Sequence, residues 1–149
     1  MEEITNKIQK LDLNVMSHSL NKEILKDTDI YIVDTYGETQ KFYKISNPVF
    51  LGGSLSQPEI KKGGQNPIEP ARLGCKIFHG PNVSNFFEIY EYLKTLGITK
   101  EINNSDELSL SLIEEFKYDN AKNDMIVEKI ENYGQNIFNN VIIELKKYI

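Results

Sequence analysis

Residues 63–70 have the sequence Gly-Gly-Gln-Asn-Pro-Ile-Glu-Pro, and this stretch decides the fold that we predict for the chain. It follows residues 48–51, an apolar run with the length of a buried strand. Asn66 is a favoured helix cap, Pro67 fits the first turn of a helix, and paired glycines allow a ligand to approach the backbone closely. In α/β proteins a helix that begins at the carboxyl end of a strand is a common phosphate site. The stretch therefore predicts an α/β fold with a nucleotide site.

The same residues also have a purely structural interpretation. Asn66 and Glu69 have the spacing of a capping box, in which Glu69 would bond back to the Asn66 amide and touch no ligand. Capping pairs of this kind are common, so the pair judged alone favours the structural interpretation. The double glycine and Pro70, whose ring begins to conflict with a helix at the edge of the first turn, favour a ligand site. Both interpretations stay open at this point.

Composition bounds the class of protein. The chain has 149 residues, which is one domain large enough to bury a core without disulfide or metal staples. Hydrophobic residues make up 40% and charged residues 26%, as in ordinary globular chains. A net charge of -5 argues against a nucleic-acid-binding surface. We expect the single cysteine, Cys75, to be buried and inert in a reducing, cytoplasmic compartment.

Strand and helix patterns alternate along the chain. The predicted strands are residues 13–16, 30–33, 48–51, 75–78 and the edge strand 98–102. The predicted helices are residues 1–10, 38–46, 67–73 and 84–96. Two more helices follow, one begun by the cap pair Asn104 and Glu107 and a final one through Ile130 and Ile137. This order with short loops predicts one domain over residues 1–149, a Rossmann-like parallel sheet with helices on both faces.

Further motifs flank residues 63–70 in a fixed order. The upstream ones are Asp34-Thr35-Tyr36-Gly37-Glu38 and Gly52-Gly53-Ser54, and the downstream ones are Leu73-Gly74, Gly80-Pro81, Asn85-Phe86 and Glu88-Ile89. Together they resemble the C-terminal half of the 3-deoxy-D-manno-octulosonic acid (Kdo) transferases, well over residues 13–96 and only by pattern in the C-terminal helices. The resemblance implies the C-terminal half of a two-domain GT-B glycosyltransferase, in which separate Rossmann-like halves bind donor and acceptor.

The resemblance implies a binding site for the donor CMP-Kdo, a cytidine nucleotide sugar. Its residues would be Tyr36, Gly37 and Glu38 in one segment and Gly64, Gln65, Asn66, Pro67, Ile68 and Glu69 in the other. The amides of residues 64–66 would point at the phosphate, helped by the helix dipole. The Glu69 carboxylate suits vicinal ribose hydroxyls, and Glu38 suits a base amine or a ribose hydroxyl. Ser54 has two equal interpretations, as a phosphate donor or as the cap of a turn.

Some residues depart from the family pattern. Gln65 stands where many members have a histidine, so it donates a hydrogen bond but cannot titrate near neutral pH. Lys61 and Lys62 lie in a longer loop than expected, and as exposed lysines they are more readily explained by solvation than by phosphate binding. His79 at a strand end is best interpreted as a packed or solvated imidazole. His18 is far from it in sequence, so no metal-ligand spacing exists.

The resemblance also implies what this sequence does not contain. The acceptor half, its membrane-associating segment, the catalytic carboxylate and the family's Pro-Arg motif would all precede residue 1. We therefore expect no catalytic residue in this chain, and a donor-binding domain that is inactive alone. No metal or cofactor is expected. The complete enzyme would transfer Kdo to a lipid A precursor in lipopolysaccharide biosynthesis, at the cytoplasmic face of a bacterial inner membrane.

Two other functions remain compatible with the sequence. One is a stand-alone, non-catalytic module that binds a nucleotide or serves as a scaffold. The other is a related GT-B enzyme that uses a UDP-sugar. Preference for CMP over other nucleotides separates the second of these from a Kdo transferase.

Overall fold

The computed structural model describes residues 2–55, 63–117 and 124–148, so the expected loop lysines Lys61 and Lys62 lie outside the described residues. The chain divides into two compact units, residues 1–39 and 40–149. Every strand pair is parallel and the sheets are flanked by helices, which confirms the predicted fold class. No helix among the described residues is long and apolar enough to cross a membrane.

The first unit contains a helix and a pair of short parallel strands. Helix α1 (Glu2–Gln9) precedes β1 (Val15–Ser17) and β2 (Ile30–Ile32). Val15 pairs with Ile30, so the two strands run in register from their first residues. Beyond their carboxyl ends, the Asp34 carboxylate accepts hydrogen bonds from the Ser19 amide at 2.8 Å and from its hydroxyl. These bonds hold the pKa of Asp34 below its usual value.

The second unit is built on a three-stranded sheet in the order β3 (Val49–Leu51), β4 (Ile77–His79) and β5 (Thr99–Glu101). The connecting helices are α2 (Thr39–Ile45), whose first residue belongs to the first unit, α3 (Ile68–Arg72) and α4 (Phe87–Thr95). Helices α5 (Ser105–Glu115) and α6 (Asp124–Leu145) follow β5. Right-handed crossovers through helices are the usual way to connect parallel strands.

The core of the second unit lies between the sheet and the helices. Its buried side chains come from the three strands and the loops beside them and from α3, α4 and α6: Val49, Leu51, Ala71, Cys75, Ile77, Val83, Tyr90, Leu93, Ile98 and Ile130. Cys75 is fully buried, and its thiol donates to the carbonyl of Tyr43 at 3.2 Å. This confirms the prediction of a buried cysteine. A core of this kind supplies most of the stability of a small domain.

Several predicted element boundaries are wrong by one or two residues. The strand expected at 75–78 begins at Ile77, because the Cys75 amide is still bonded to the Pro70 carbonyl at 3.0 Å and closes α3. The helix expected at 84–96 begins with a tight 3-10 turn over Ser84–Phe86. The Asn104 cap is correct, since its side chain accepts from the Glu107 amide at 2.9 Å. The Glu107 carboxylate accepts from the Asn103 amide, which lies one residue before the Asn104 amide that a capping box would use.

A fully buried serine joins the loops that follow β3 and β4. The Ser54 hydroxyl donates to the Leu51 carbonyl at 2.7 Å and accepts from the Gly80 amide at 2.7 Å. The Ser54 carbonyl accepts from the Asn82 amide at 3.0 Å. We call these three bonds the Ser54 clasp. A Cβ on Gly80 would lie 2.6 Å from the Leu55 amide nitrogen and would also collide with the Ser54 carbonyl, so only glycine fits.

The clasp predicts that Gly80→Ala destabilises the protein. We expect the free energy of unfolding to fall by about 1–3 kcal/mol, the usual cost of forcing extra atoms into a packed site. Gly134→Ala is the matched control: Gly134 lies inside α6 with no atom near the position of a new Cβ. That variant should be more stable by about 0.5–1 kcal/mol, because alanine is the better helix former. Urea denaturation measures both changes, and a Gly80→Ala protein as stable as wild type would contradict the clasp.

Candidate functional site

The paired glycines before α3 are packed against protein, which corrects one expectation. The Gly64 amide donates to the Asn82 carbonyl at 2.8 Å, so the expected role of this amide as a phosphate donor is wrong. The Gly64 carbonyl accepts from the Asn85 side chain at 2.9 Å. A Cβ on Gly64 would lie 2.9 Å from the Val83 side chain, and one on Gly63 would collide with Asn85. The close approach that requires glycine here is therefore that of residues 82–85.

The backbone of the next residue is fixed by a tyrosine. The Tyr90 hydroxyl donates to the Gln65 carbonyl at 2.9 Å. Burial raises the pKa of Tyr90 to about 12, so the hydroxyl keeps its proton and remains a donor at any physiological pH. The Gln65 side chain is exposed. Within the described ranges, the Gln65 and Asn66 amides have no protein acceptor, so they remain candidates for a phosphate.

The start of α3 only partly matches the predicted capping box. Asn66 lies one residue before the cap position, which Pro67 occupies, and its side chain accepts from the Ile68 amide at 3.0 Å. Among the residues that the structure describes, no side chain caps this helix from Pro67, and Glu69 forms no bond back to the Asn66 amide. The helix itself begins at Ile68 and not at Pro67. Glu69 is therefore not used as a capping residue.

Glu69 lines a polar cleft of about 610 Å³ on the surface of the second unit. The cleft runs along α2 and α3 and reaches one residue of α6; its lining residues are Gln40, Lys44, Asn66, Ile68, Glu69, Arg72, Leu73 and Glu131. Its volume is in the range of small-molecule sites. The Arg72 guanidinium lies 3.9 Å from the Glu131 carboxylate, and both side chains are more than half exposed. A pair of that kind is weak and leaves the arginine able to meet an anion.

The charge of Glu69 affects the pKa of a partly buried tyrosine in the second unit. The pKa of Tyr43 is raised, mainly by burial and in second place by the Glu69 carboxylate. Tyr43 belongs to α2, which lines the cleft through Gln40 and Lys44. These two residues are one helical turn apart, and that spacing is the signal that sequence reasoning missed. Their amide and ammonium groups are hydrogen-bond donors, which suits them to phosphate or carbonyl oxygens.

The other predicted site segment, Tyr36, Gly37 and Glu38, belongs to the first unit. Tyr36 is fully exposed, and Gly37 has a φ of 81°, in the left-handed region that favours glycine. Glu38 is more constrained than the sequence suggested. Its Oε2 atom accepts from the Thr35 hydroxyl and lies 2.8 Å from His18 Nε2. Sequence reasoning considered His18 only as a metal ligand and so missed this pair.

Two remaining candidates have structural roles. Ser54 is fully buried with its hydroxyl engaged in the clasp, so the phosphate interpretation is wrong and the turn interpretation is correct. His79 is a packed imidazole, as expected: it is only 6% exposed, and its ring centroid lies 4.4 Å from that of Tyr90. Its Nδ1 atom is 2.8 Å from the Gly80 carbonyl.

Comparison with known proteins gives consistent results. The 3-deoxy-D-manno-octulosonic acid transferase of Rickettsia bellii (strain RML369-C) is 30% identical over 125 residues, which is 84% of this chain and 27% of that protein. The enzyme of the same name from Rickettsia prowazekii (strain Madrid E) is 27% identical over 149 residues, 100% of this chain and 30% of that protein. This chain thus spans less than a third of the length of these relatives. No protein-family model matches it.

A solved structure shares the fold. The C-terminal CMP-Kdo binding domain of WaaA from Acinetobacter baumannii superimposes with a TM-score of 0.75 over 88% of this chain and 66% of that one, at 24% sequence identity. The resemblance that the motifs indicated is therefore confirmed: the chain is a relative of the 3-deoxy-D-manno-octulosonic acid transferases and has the fold of a GT-B C-terminal domain.

Proposed function

We propose that this chain binds CMP-Kdo as the donor-binding part of a Kdo transferase. One observation carries the proposal: the Glu69 carboxylate, in the motif on which the resemblance to those enzymes rests, is not used as a cap and lines a cleft of about 610 Å³. A capping role would have explained the residue without a ligand. With that role gone, a hydrogen-bond acceptor at the start of α3 is best explained by a ligand with hydroxyl groups.

The cleft supplies complementary groups for a nucleotide. Glu69 accepts hydrogen bonds from the vicinal ribose hydroxyls, because a carboxylate close to the phosphate would be repelled by it. The side chains of Lys44 and Arg72 provide donors and positive charge for the phosphate from the lining of the cleft. The Asn66 amide, from a residue that also lines the cleft, and the Gln65 amide, one residue before it in the chain, provide further donors. Two cations in one cleft also offset the charge that Glu69 and Glu131 place there.

The resemblance assigns further contacts to Tyr36, Gly37 and Glu38, and for these three residues the proposal rests on the motif alone. The catalytic base lies outside this sequence in the proposed enzyme. It activates a hydroxyl of a lipid A precursor, which attacks the anomeric carbon of Kdo while CMP leaves. The donor-binding part stabilises the leaving phosphate through its hydrogen-bond donors. The isolated chain then binds donor without transferring sugar, and the complete enzyme works at the cytoplasmic face of the inner membrane.

Selective binding of CMP tests the nucleotide class. In a titration followed by amide chemical shifts, CMP should move the signals of Gln65, Asn66 and Glu69, because these residues contact the nucleotide. UMP and GMP should produce smaller shifts at equal concentration, because their bases offer a different pattern of donors and acceptors. A stronger response to UMP or UDP would favour a UDP-sugar enzyme. Shifts scattered over the surface with no preference would contradict the donor site.

Substitution of Glu69 tests the residue on which the proposal depends most. Glu69→Gln keeps the shape of the side chain but removes the charge, so CMP affinity should fall at least about tenfold, or ~1.4 kcal/mol. Calorimetric titration measures the change. Glu88→Gln is the matched control, since Glu88 occupies the first turn of α4 as Glu69 occupies that of α3. Glu88→Gln should bind like wild type.

Melting temperatures of the two variants without ligand complete the comparison. If Glu69→Gln lost much stability while binding CMP normally, Glu69 would be a structural residue and would leave the proposed site.

A further inference from the structure

Helix α6 carries one apolar stripe along its length, and the first half of this stripe is packed against the second unit. Ile130 is 6% exposed and belongs to the core. The ring of Tyr133 stacks on that of Tyr92 from α4, with 4.0 Å between the ring centroids. Three residues continue the same face of the helix at intervals of four, and they are 47%, 51% and 53% exposed: Ile137, Val141 and Leu145. We call these three residues the exposed stripe.

A groove of about 550 Å³ opens beside the exposed stripe, between α3, α4 and α6. Its apolar lining includes Ile89 and Leu93, and it also includes Ile137, so the groove and the exposed stripe form one continuous apolar surface. Arg72 and Glu131 border the groove with side chains that are more than half exposed. A continuous apolar surface with a polar rim is typical of protein interfaces.

The exposed stripe reads the same in both directions along the helix. Ile137 and Leu145 lie four residues before and four residues after Val141. In an antiparallel pair of α6 helices with a two-fold axis beside Val141, each Ile137 lies opposite Leu145 of the other copy and the two Val141 side chains meet. Tyr148 is 82% exposed and lies beyond Leu145, so it comes beside the groove of the other copy. The surface is therefore complementary to itself.

The charges of α6 are grouped at its two ends. Residues 132–143 carry no charged side chain, and charged residues are depleted at the centres of protein interfaces. Residues 124–131 carry three acidic side chains and one basic one, whereas residues 144–148 carry two basic side chains and one acidic one. An antiparallel copy brings the basic end of each helix towards the acidic beginning of the other, and a parallel copy would bring like charges together. Charge thus favours the antiparallel orientation.

We propose that two copies of this chain form an antiparallel dimer through α6. The exposed stripe of each copy packs against that of the other, and the end of each α6 lies along the partner's groove. A second copy is the occupant that fits, because both the spacing of the apolar residues and the separation of charge along α6 are complementary to themselves. Closed two-fold dimers are the commonest oligomers, and apolar cores are typical of their interfaces. The inference concerns assembly and is independent of nucleotide binding.

Sedimentation equilibrium without nucleotide tests the dimer. The mass of the wild-type chain should rise from 17.2 kDa towards twice that value as the concentration increases. Val141→Glu places two carboxylates together at the two-fold axis, so the dissociation constant of the dimer should rise at least about a hundredfold. Ile143→Glu is the matched control, because it adds the same charge at a 59% exposed position on the opposite face of α6. Ile143→Glu should dimerise like wild type.

Disulfide crosslinking tests the antiparallel orientation. A disulfide requires the two Cα atoms to lie within about 7 Å of each other. In an oxidised mixture, Ile137→Cys protein should crosslink to Leu145→Cys protein, and neither should crosslink to itself. Cys75 is fully buried and does not compete. Crosslinking of each protein to itself, without crosslinking between the two, would indicate a parallel pair and would contradict the arrangement.

Circular dichroism spectra establish that each variant is folded. A wild-type chain that keeps a mass of 17.2 kDa up to about 1 mM, the weak end of specific association, overturns the inference and leaves the exposed stripe to a different partner. A dimer that Val141→Glu and Ile143→Glu weaken equally would use another surface, and this result also overturns the inference. Because no nucleotide is present, neither outcome depends on the proposed donor site.

Discussion

The buried hydroxyl of Ser54 is the interaction on which the geometry of the second unit depends. It joins the loops after β3 and β4 through the Leu51 carbonyl and the Gly80 amide, each at 2.7 Å. The Ser54 carbonyl then fixes Asn82, whose own carbonyl accepts from the Gly64 amide at 2.8 Å. This relay sets the path of the chain into α3. The path of the chain into the helix that carries Glu69 therefore depends on a fully buried serine.

The relay explains why glycine is required at two positions in this region. Gly80 must lack a side chain because the backbone of Ser54 and Leu55 lies against it. Gly64 must lack one because the side chain of Val83 lies against it. Buried polar backbone groups need partners, and loops that approach this closely satisfy each other's groups. A Gly-rich motif in a nucleotide-binding fold is therefore not by itself evidence of contact with phosphate. Here the glycines act through packing, and the ligand contacts that we propose fall on the residues that follow them.

Much of the fold was predictable from the sequence because it depends on local patterns. Apolar periodicity indicated the order of strands and helices, and short connections indicated parallel pairing, which the structure confirms. Element ends were less predictable, since they depend on turn chemistry such as the bond from the Cys75 amide to Pro70. The division into two compact units was not anticipated. Contacts between residues far apart in sequence leave no local signal.

The candidate site, like the fold, was predictable from the sequence only in part. The motif that carries Asn66 and Glu69 was visible in the sequence, and the structure removes the capping role that competed with ligand binding for Glu69. The partners of the motif residues were not visible. Arg72 enters the cleft from the far end of α3 and Lys44 from α2, and the pair of His18 with Glu38 depends on strands that bring residues 20 positions apart together. Such partners are set by tertiary structure, which residue spacing alone does not reveal.

A structure of this chain with CMP bound tests the central claim most directly. The account predicts the ribose hydroxyls within hydrogen-bonding distance of the Glu69 carboxylate, with the phosphate near the Gln65 and Asn66 amides. Nucleotide bound elsewhere on the chain, or with its ribose directed away from Glu69, would contradict the account.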